Sequence, residues 1–133
     1  MNQRLDAYLV RKCPTLFADR NASMRVTCMC WGFECGDGWY NLLKEACLKL
    51  EPIMAAAKAK DPQGWAHGYY RASQVKEKYG TLRFYLACYP PGAEEIVNEA
   101  EKKSAVTCEQ CGKPGKLRGR GWLYTACEKH VRD

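Results

Sequence analysis

The chain has 133 residues, 47% of them apolar and 27% charged, a balance that excludes intrinsic disorder and leaves room for one modest core. It carries a net charge of +6 and nine cysteines. No apolar run approaches the length of a membrane span and residues 1–10 lack the apolar stretch of a signal peptide, so cytoplasmic residence with reduced or metal-bound thiols is expected.

Leu5, Tyr8, Leu9 and Lys12 recur at helical spacing until Pro14 interrupts them, which predicts a short N-terminal helix. Residues 19–36 are polar, with Gly32 and Gly36, and read as irregular chain or a short strand. Cys28, Cys30 and Cys35 stand two and five positions apart, a spacing that matches no common zinc pattern. They read as buried thiols, with a second metal as the alternative. Asp37 is placed to cap the clearest helix, where Trp39, Leu42, Leu43, Ala46, Cys47 and Leu50 form one apolar stripe. Pro52 is expected to open a separate alanine-rich helical piece, residues 53–60, ended by Asp61-Pro62-Gln63-Gly64.

The period then changes from 3.6 to 2. Leu82, Phe84, Leu86 and Cys88 alternate with Thr81, Arg83, Tyr85 and Ala87, as in a half-buried strand. Gly80 after Lys78-Tyr79 predicts a hairpin with a preceding strand of about residues 70–77. Pro90-Pro91-Gly92 stops the strand. A further helix follows, with Glu94 and Glu95 at its positive end, Lys102 and Lys103 at its negative end, and Ile96, Val97 and Ala100 on its buried face.

The C-terminal segment carries the sharpest signal. Cys108 and Cys111 form one pair, and Cys127 and His130 another, each with two residues between its members and fifteen residues separating the pairs. Three thiolates and an imidazole complete a tetrahedral, closed zinc site, so one structural zinc ion is expected rather than a catalytic one. Gly112, Pro114 and Gly115 permit the turn after the first pair. Residues 116–118 and 122–125 can form a hairpin around Gly119-Arg120-Gly121, with the second pair on the first turn of a closing helix. The expected architecture is α+β: a helical and β-hairpin core over residues 1–104, and a treble-clef-like zinc finger over 105–133 packed on it.

Charge follows the same division. Residues 1–101 hold thirteen Lys/Arg and twelve Asp/Glu, whereas residues 102–133 hold eight and three. Arg118, Arg120 and Lys116 on the finger hairpin, with Trp122 beside them and Arg83 and Lys76 on the sheet, form the candidate contact surface for a protein partner or for DNA or RNA. Exposed aromatic faces would equally support a homodimer. Catalytic signals are weak, so a non-enzymatic protein is expected. His67 has no partner carboxylate nearby in sequence. A finger-based nuclease would need a second histidine, and a Cys35–His67 pair has nothing to favour it.

Three blocks carry a resemblance: residues 32–40 (GFECGDGWY), residues 74–85 (QVKEKYGTLRFY), and residues 108–115 (CEQCGKPG) with Gly121-Trp122-Leu123. In this order they resemble small zinc-finger-containing proteins encoded by phages and prophages, over about residues 32–130. The resemblance implies a phage or prophage origin and the zinc site, and assigns no activity. Accessory phage proteins of this size bind and redirect host machinery. The expected role is therefore inhibition or redirection of a host nucleic-acid-handling or defence complex, of the CRISPR type for example, in the bacterial cytoplasm. Direct DNA or RNA binding through the basic hairpin is the alternative, and a nuclease or other enzyme the remaining one.

Overall fold

The computed structural model describes residues 1–132 and shows an α+β protein. Helix α1 (Gln3–Lys12) starts at Asn2, whose side chain accepts hydrogen bonds from Arg4 N and Leu5 N. Strand β1 (Phe33–Glu34) follows a stretch of turns and one 3-10 turn at Cys28–Trp31. The central helix α2 (Tyr40–Lys60) carries the predicted stripe, and Leu42, Leu43, Ala46, Cys47, Leu50 and Met54 are buried. Helix α3 (Pro62–Ala66), strands β2 (Ala72–Lys78) and β3 (Thr81–Leu86), and helix α4 (Ala93–Ser104) complete the core. Strands β4 (Lys116–Arg118) and β5 (Tyr124–Ala126) form the C-terminal hairpin.

Two local expectations are corrected. Pro52 does not open a new helix but lies inside α2, which runs unbroken through it. The surrounding turns bury enough side chain to hold the helix across the missing N–H. Asp37 does not cap α2 by its side chain. It begins a 3-10 turn, Asp37–Trp39, and its Oδ1 accepts from Asn2 N at 2.7 Å, tying the start of α1 to the start of α2. The helical run does end at Lys60 as expected, and Asp61 in addition starts α3, its Oδ1 accepting from Gly64 N at 3.0 Å.

The main sheet has the order β1-β2-β3. The β2–β3 hairpin matches the alternation in the sequence, with Val75 opposite Phe84 on the buried face and Lys76 opposite Arg83 on the other. Its loop is the two-residue Tyr79-Gly80, both with positive φ, the conformation that matches strand twist. Strand β1 adds a parallel neighbour to β2, making the sheet mixed. Two residues are too few to show a period of 2, and a parallel pair needs the long crossover through α2 and α3 that only the fold supplies. Phe17 joins the layers, with ring centroids 4.9 Å from Phe33 and 6.4 Å from Phe84.

Strand β3 lies at the edge of the sheet, and its outward N–H groups are taken by side chains. Leu82 N donates to Ser104 Oγ (2.9 Å), Phe84 N to Glu101 Oε2 (3.1 Å) and Leu86 N to Tyr89 Oη (3.2 Å). The C-terminal half of α4 thus covers an edge that would otherwise invite another strand. Val97, Ala100 and Ser104 face inward on that helix, and Ile96 packs at the margin of the core.

Candidate metal centre

Residues 106–115 form a tight knuckle immediately after α4. Cys108 N donates to Lys113 O (2.8 Å), and Gly112 N donates to Cys108 O (2.9 Å). Gly112 has φ +82°, a left-handed conformation that a side chain would strain. The β4–β5 ladder, with Lys116 opposite Ala126, carries Cys127 back to this knuckle. Glu109 N donating to Thr125 O (3.1 Å) locks the approach. A 3-10 turn at Glu128–His130 then returns the imidazole towards Cys127.

The three Sγ atoms of Cys108, Cys111 and Cys127 and one ring nitrogen of His130 all lie within 4.8 Å of one another, so the cluster could hold one metal ion. Cys111 Sγ is 3.7 Å from Cys127 Sγ, while His130 Nδ1 is 3.6 Å from Cys108 Sγ and 3.2 Å from Cys127 Sγ. The donor set therefore converges as the sequence spacing predicts. Burial opposes charge on Cys108, but the backbone N–H groups of Cys127, Cys111 and Gln110 outweigh it and bring the thiol down to about 6. Burial likewise works against charge on Cys127, where the His130 hydrogen bond turns the balance and lowers the thiol. The same contact raises His130 above an ordinary imidazole. The Lys113 N–H favours the Cys111 thiolate, yet burial and its two sulfur neighbours together hold that thiol high. The knuckle thus supplies ready anionic character at Cys108, the deepest ligand.

The closing helix of a treble clef is replaced by that single 3-10 turn. Val131 leaves it extended, and Arg132 folds back, its N donating to Tyr124 Oη at 2.7 Å and its guanidinium lying 4.5 Å from the Tyr124 ring. Strand β5 also begins two residues later than expected. Gly119 has φ +97°, and a side chain there would overlap Trp122 O, so Trp122 is drawn into the loop.

The sequence reading missed how the finger is seated. Gly36-Asp37-Gly38 reads as a turn and cap, but it forms the floor under the knuckle. Gly38 N donates to Glu109 O (2.7 Å), Gly36 N donates to Glu109 Oε2 (2.8 Å), and a Cβ at Gly38 would overlap the carbonyl oxygens of Cys108 and Glu109. Trp39 is fully buried and donates its indole N–H to Thr107 O at 2.9 Å. On the other side, the buried Thr125 hydroxyl donates to Gly80 O in the β2–β3 turn, and Leu117 lies against Gly80. Two glycines flanking an aspartate are the only trace of this seat in the sequence.

The candidate contact residues are not all alike. Arg120 is exposed at the hairpin tip and Lys116 is exposed on β4. Arg118 is mostly covered: its Nε donates to Ala126 O (2.9 Å) and its Nη2 reaches Glu128 at 3.4 Å. Arg83 is half-buried, with Nη1 donating to Thr81 Oγ1 at 2.9 Å. Lys76 lines a groove with Tyr79 and Trp122. Trp122 is 78% exposed.

Of Cys28, Cys30 and Cys35, the buried-thiol reading holds for Cys35. Met29 takes the core position on their 3-10 turn, leaving Cys28 exposed and Cys30 half-buried. Among the described residues, no second metal-holding cluster includes them. Burial pushes Cys35 up to about 12, which keeps it a neutral thiol. Cys47 is core as expected, but Cys88 lies past the end of β3 and is half-buried. His67 is exposed beside Tyr69. Among the described residues, no helix is long and apolar enough to cross a membrane. Comparison with protein-family models, curated proteins and solved structures finds no match.

Proposed function

We propose that this chain is a non-enzymatic accessory protein of a phage or prophage, built around one structural zinc ion, that binds and inhibits or redirects a host nucleic-acid-handling or defence complex. The observation that carries the reading is the closed four-donor cluster in a finger whose hairpin also exposes Lys116, Arg120 and Trp122. Four protein donors leave no position for a reacting water. The metal then acts as a staple for a segment too short to bury a core of its own. The ordered resemblance blocks support the phage origin, and with it action in the bacterial cytoplasm.

Zinc suits the donors and the spacing. Arms of about 2.3 Å to sulfur and about 2.1 Å to nitrogen place tetrahedral neighbours roughly 3.6–3.8 Å apart. The 3.7 Å and 3.6 Å separations match those edges, and the 3.2 Å one needs only a small opening. Native mass spectrometry should find one zinc per chain, and Cys111→Ser should lose it together with the protease resistance of the finger. A variant that kept both would sink the ligand assignment.

The role is tested by a pull-down of the tagged, zinc-loaded chain from a bacterial lysate, followed by adding the purified chain to the recovered complex. A defined nucleic-acid-handling or defence complex should be enriched and its activity reduced. Enrichment of no such complex over an untagged control would overturn the reading.

A further inference from the structure

Trp122 is the most exposed large apolar side chain of the molecule among the described residues, at 78%, and it borders two neighbouring grooves. One groove, of about 340 Å³, runs between the β2–β3 turn and the finger, with Lys76, Lys78 and Tyr79 on its far wall. The other, of about 720 Å³, is lined by Arg118, Arg120 and Arg132. Among the described residues, Lys76, Lys78, Arg120 and Arg132 thus flank one indole, with Arg118 beside them paired to Glu128, and Glu77 is the one carboxylate lining the two grooves. Glu77 is itself engaged, accepting from Gly80 N at 2.7 Å.

Tyr79 provides an independent observation. It sits at φ +54° in the hairpin turn, a conformation that costs a bulky residue on the order of 1 kcal/mol and that Asn or Gly adopts freely. Its ring is nevertheless 67% exposed, so the core gains nothing from it. A strained, exposed aromatic opposite an exposed tryptophan, inside a cationic frame, has the composition of a surface on which unpaired bases stack while the phosphates meet Lys and Arg.

We infer that the grooves on either side of Trp122 form a binding site for single-stranded nucleic acid, with Trp122 and Tyr79 as stacking faces and Lys76, Lys78, Arg120 and Arg132 as phosphate contacts. This rests on the reading that the finger rim is the working surface, and it names the component gripped: an exposed strand of the host complex rather than its protein. Two exposed aromatic planes among four cations without a carboxylate partner in the described residues favour a polyanion bearing flat bases over an acidic protein, for which one anchoring aromatic would suffice.

The test uses the zinc-loaded full chain and a fluorescein-labelled single strand of about 12 nucleotides, read by anisotropy and by Trp fluorescence at about 50 mM salt. Binding should quench the tryptophan signal, weaken steeply with added salt, and exceed binding to a duplex of equal length. Trp122→Ala and Tyr79→Asn should each weaken it about tenfold with zinc content unchanged. Tyr79→Asn should also raise the melting temperature, so that lost binding cannot be assigned to lost fold. No saturable binding of the strand, or binding that both variants leave intact, would overturn the inference. A host protein that survives nuclease treatment and depends on Trp122, with no affinity for the strand, would also overturn it while leaving the proposed function standing.

Discussion

Gly38 shows how one missing side chain can decide a tertiary contact. The knuckle's carbonyl oxygens occupy the space where its Cβ would stand, and its N–H donates to Glu109 O. Gly38→Ala must therefore push the finger off the body or distort the start of α2. The expected cost is about 1–3 kcal/mol, seen as a lower melting temperature and faster zinc loss to a chelator. Gly121→Ala is the control, because a Cβ there meets nothing within 4 Å. Equal stability of the two variants would show that the knuckle does not sit on Gly38. Trp39 acts beside it in a different way. Its ring belongs to the predicted apolar stripe, but its N–H holds Thr107 O across the same seam. A hydrophobic pattern reports the ring and is silent about the N–H.

Within the finger, the knuckle, hairpin and 3-10 turn are joined by few apolar contacts: its buried cluster is Cys108, Tyr124, Ala126 and Cys127. Two of those four are metal donors, so metal and fold are one equilibrium. The sign of its pH dependence follows from the ligands. Without metal, Cys111 and His130 both hold their protons to higher pH than ordinary thiols and imidazoles do. Metal binding must release those protons, so the metal-free state carries more of them and acid favours it. Cys108, already down at about 6, contributes little above that pH. Zinc affinity should fall at least tenfold per unit from about pH 8 to about pH 6, as read by competition with a chromophoric chelator. An affinity flat across that window would contradict the thiol and imidazole donor set. The knuckle and hairpin were legible in advance from Gly112, Pro114, Gly115 and the ligand spacing. The closing helix was not, because Tyr124 captures Arg132 from eight residues away and no local propensity encodes that.

Across the whole molecule, two buried clusters meet at a polar seam. The larger takes in α1, α2, α4 and the mixed sheet, and the smaller surrounds the metal ligands. Hydrogen bonds from Gly36, Gly38, Trp39 and Thr125 bridge them. Chelation of the metal with EDTA should therefore unfold residues 106–132 and spare the rest. Hydrogen exchange measured by mass spectrometry should rise throughout the finger while α2 and α4 stay protected. Loss of protection in α2 as well would show that the seam makes the two clusters one cooperative unit.

Periodicity and ligand spacing are local properties of the chain, and they were enough for α1, the stripe of α2, the β2–β3 hairpin, α4 and the four metal donors. Each depends on side chains within a few residues, or on a donor chemistry that few other arrangements satisfy. Contacts between distant segments have no such signature. Strand β1 pairs with β2 across some forty residues, and Pro52 is carried on the exposed side of α2 while Leu50 and Met54 on either side of it are held in the core. Gly36 and Gly38 serve a knuckle seventy residues away. The joining of Lys76 and Tyr79 on the sheet to Trp122 on the finger belongs to the same class. These features follow from which surfaces meet when the two clusters dock, and that choice is made by shape and unsatisfied backbone groups rather than by any local pattern of residues.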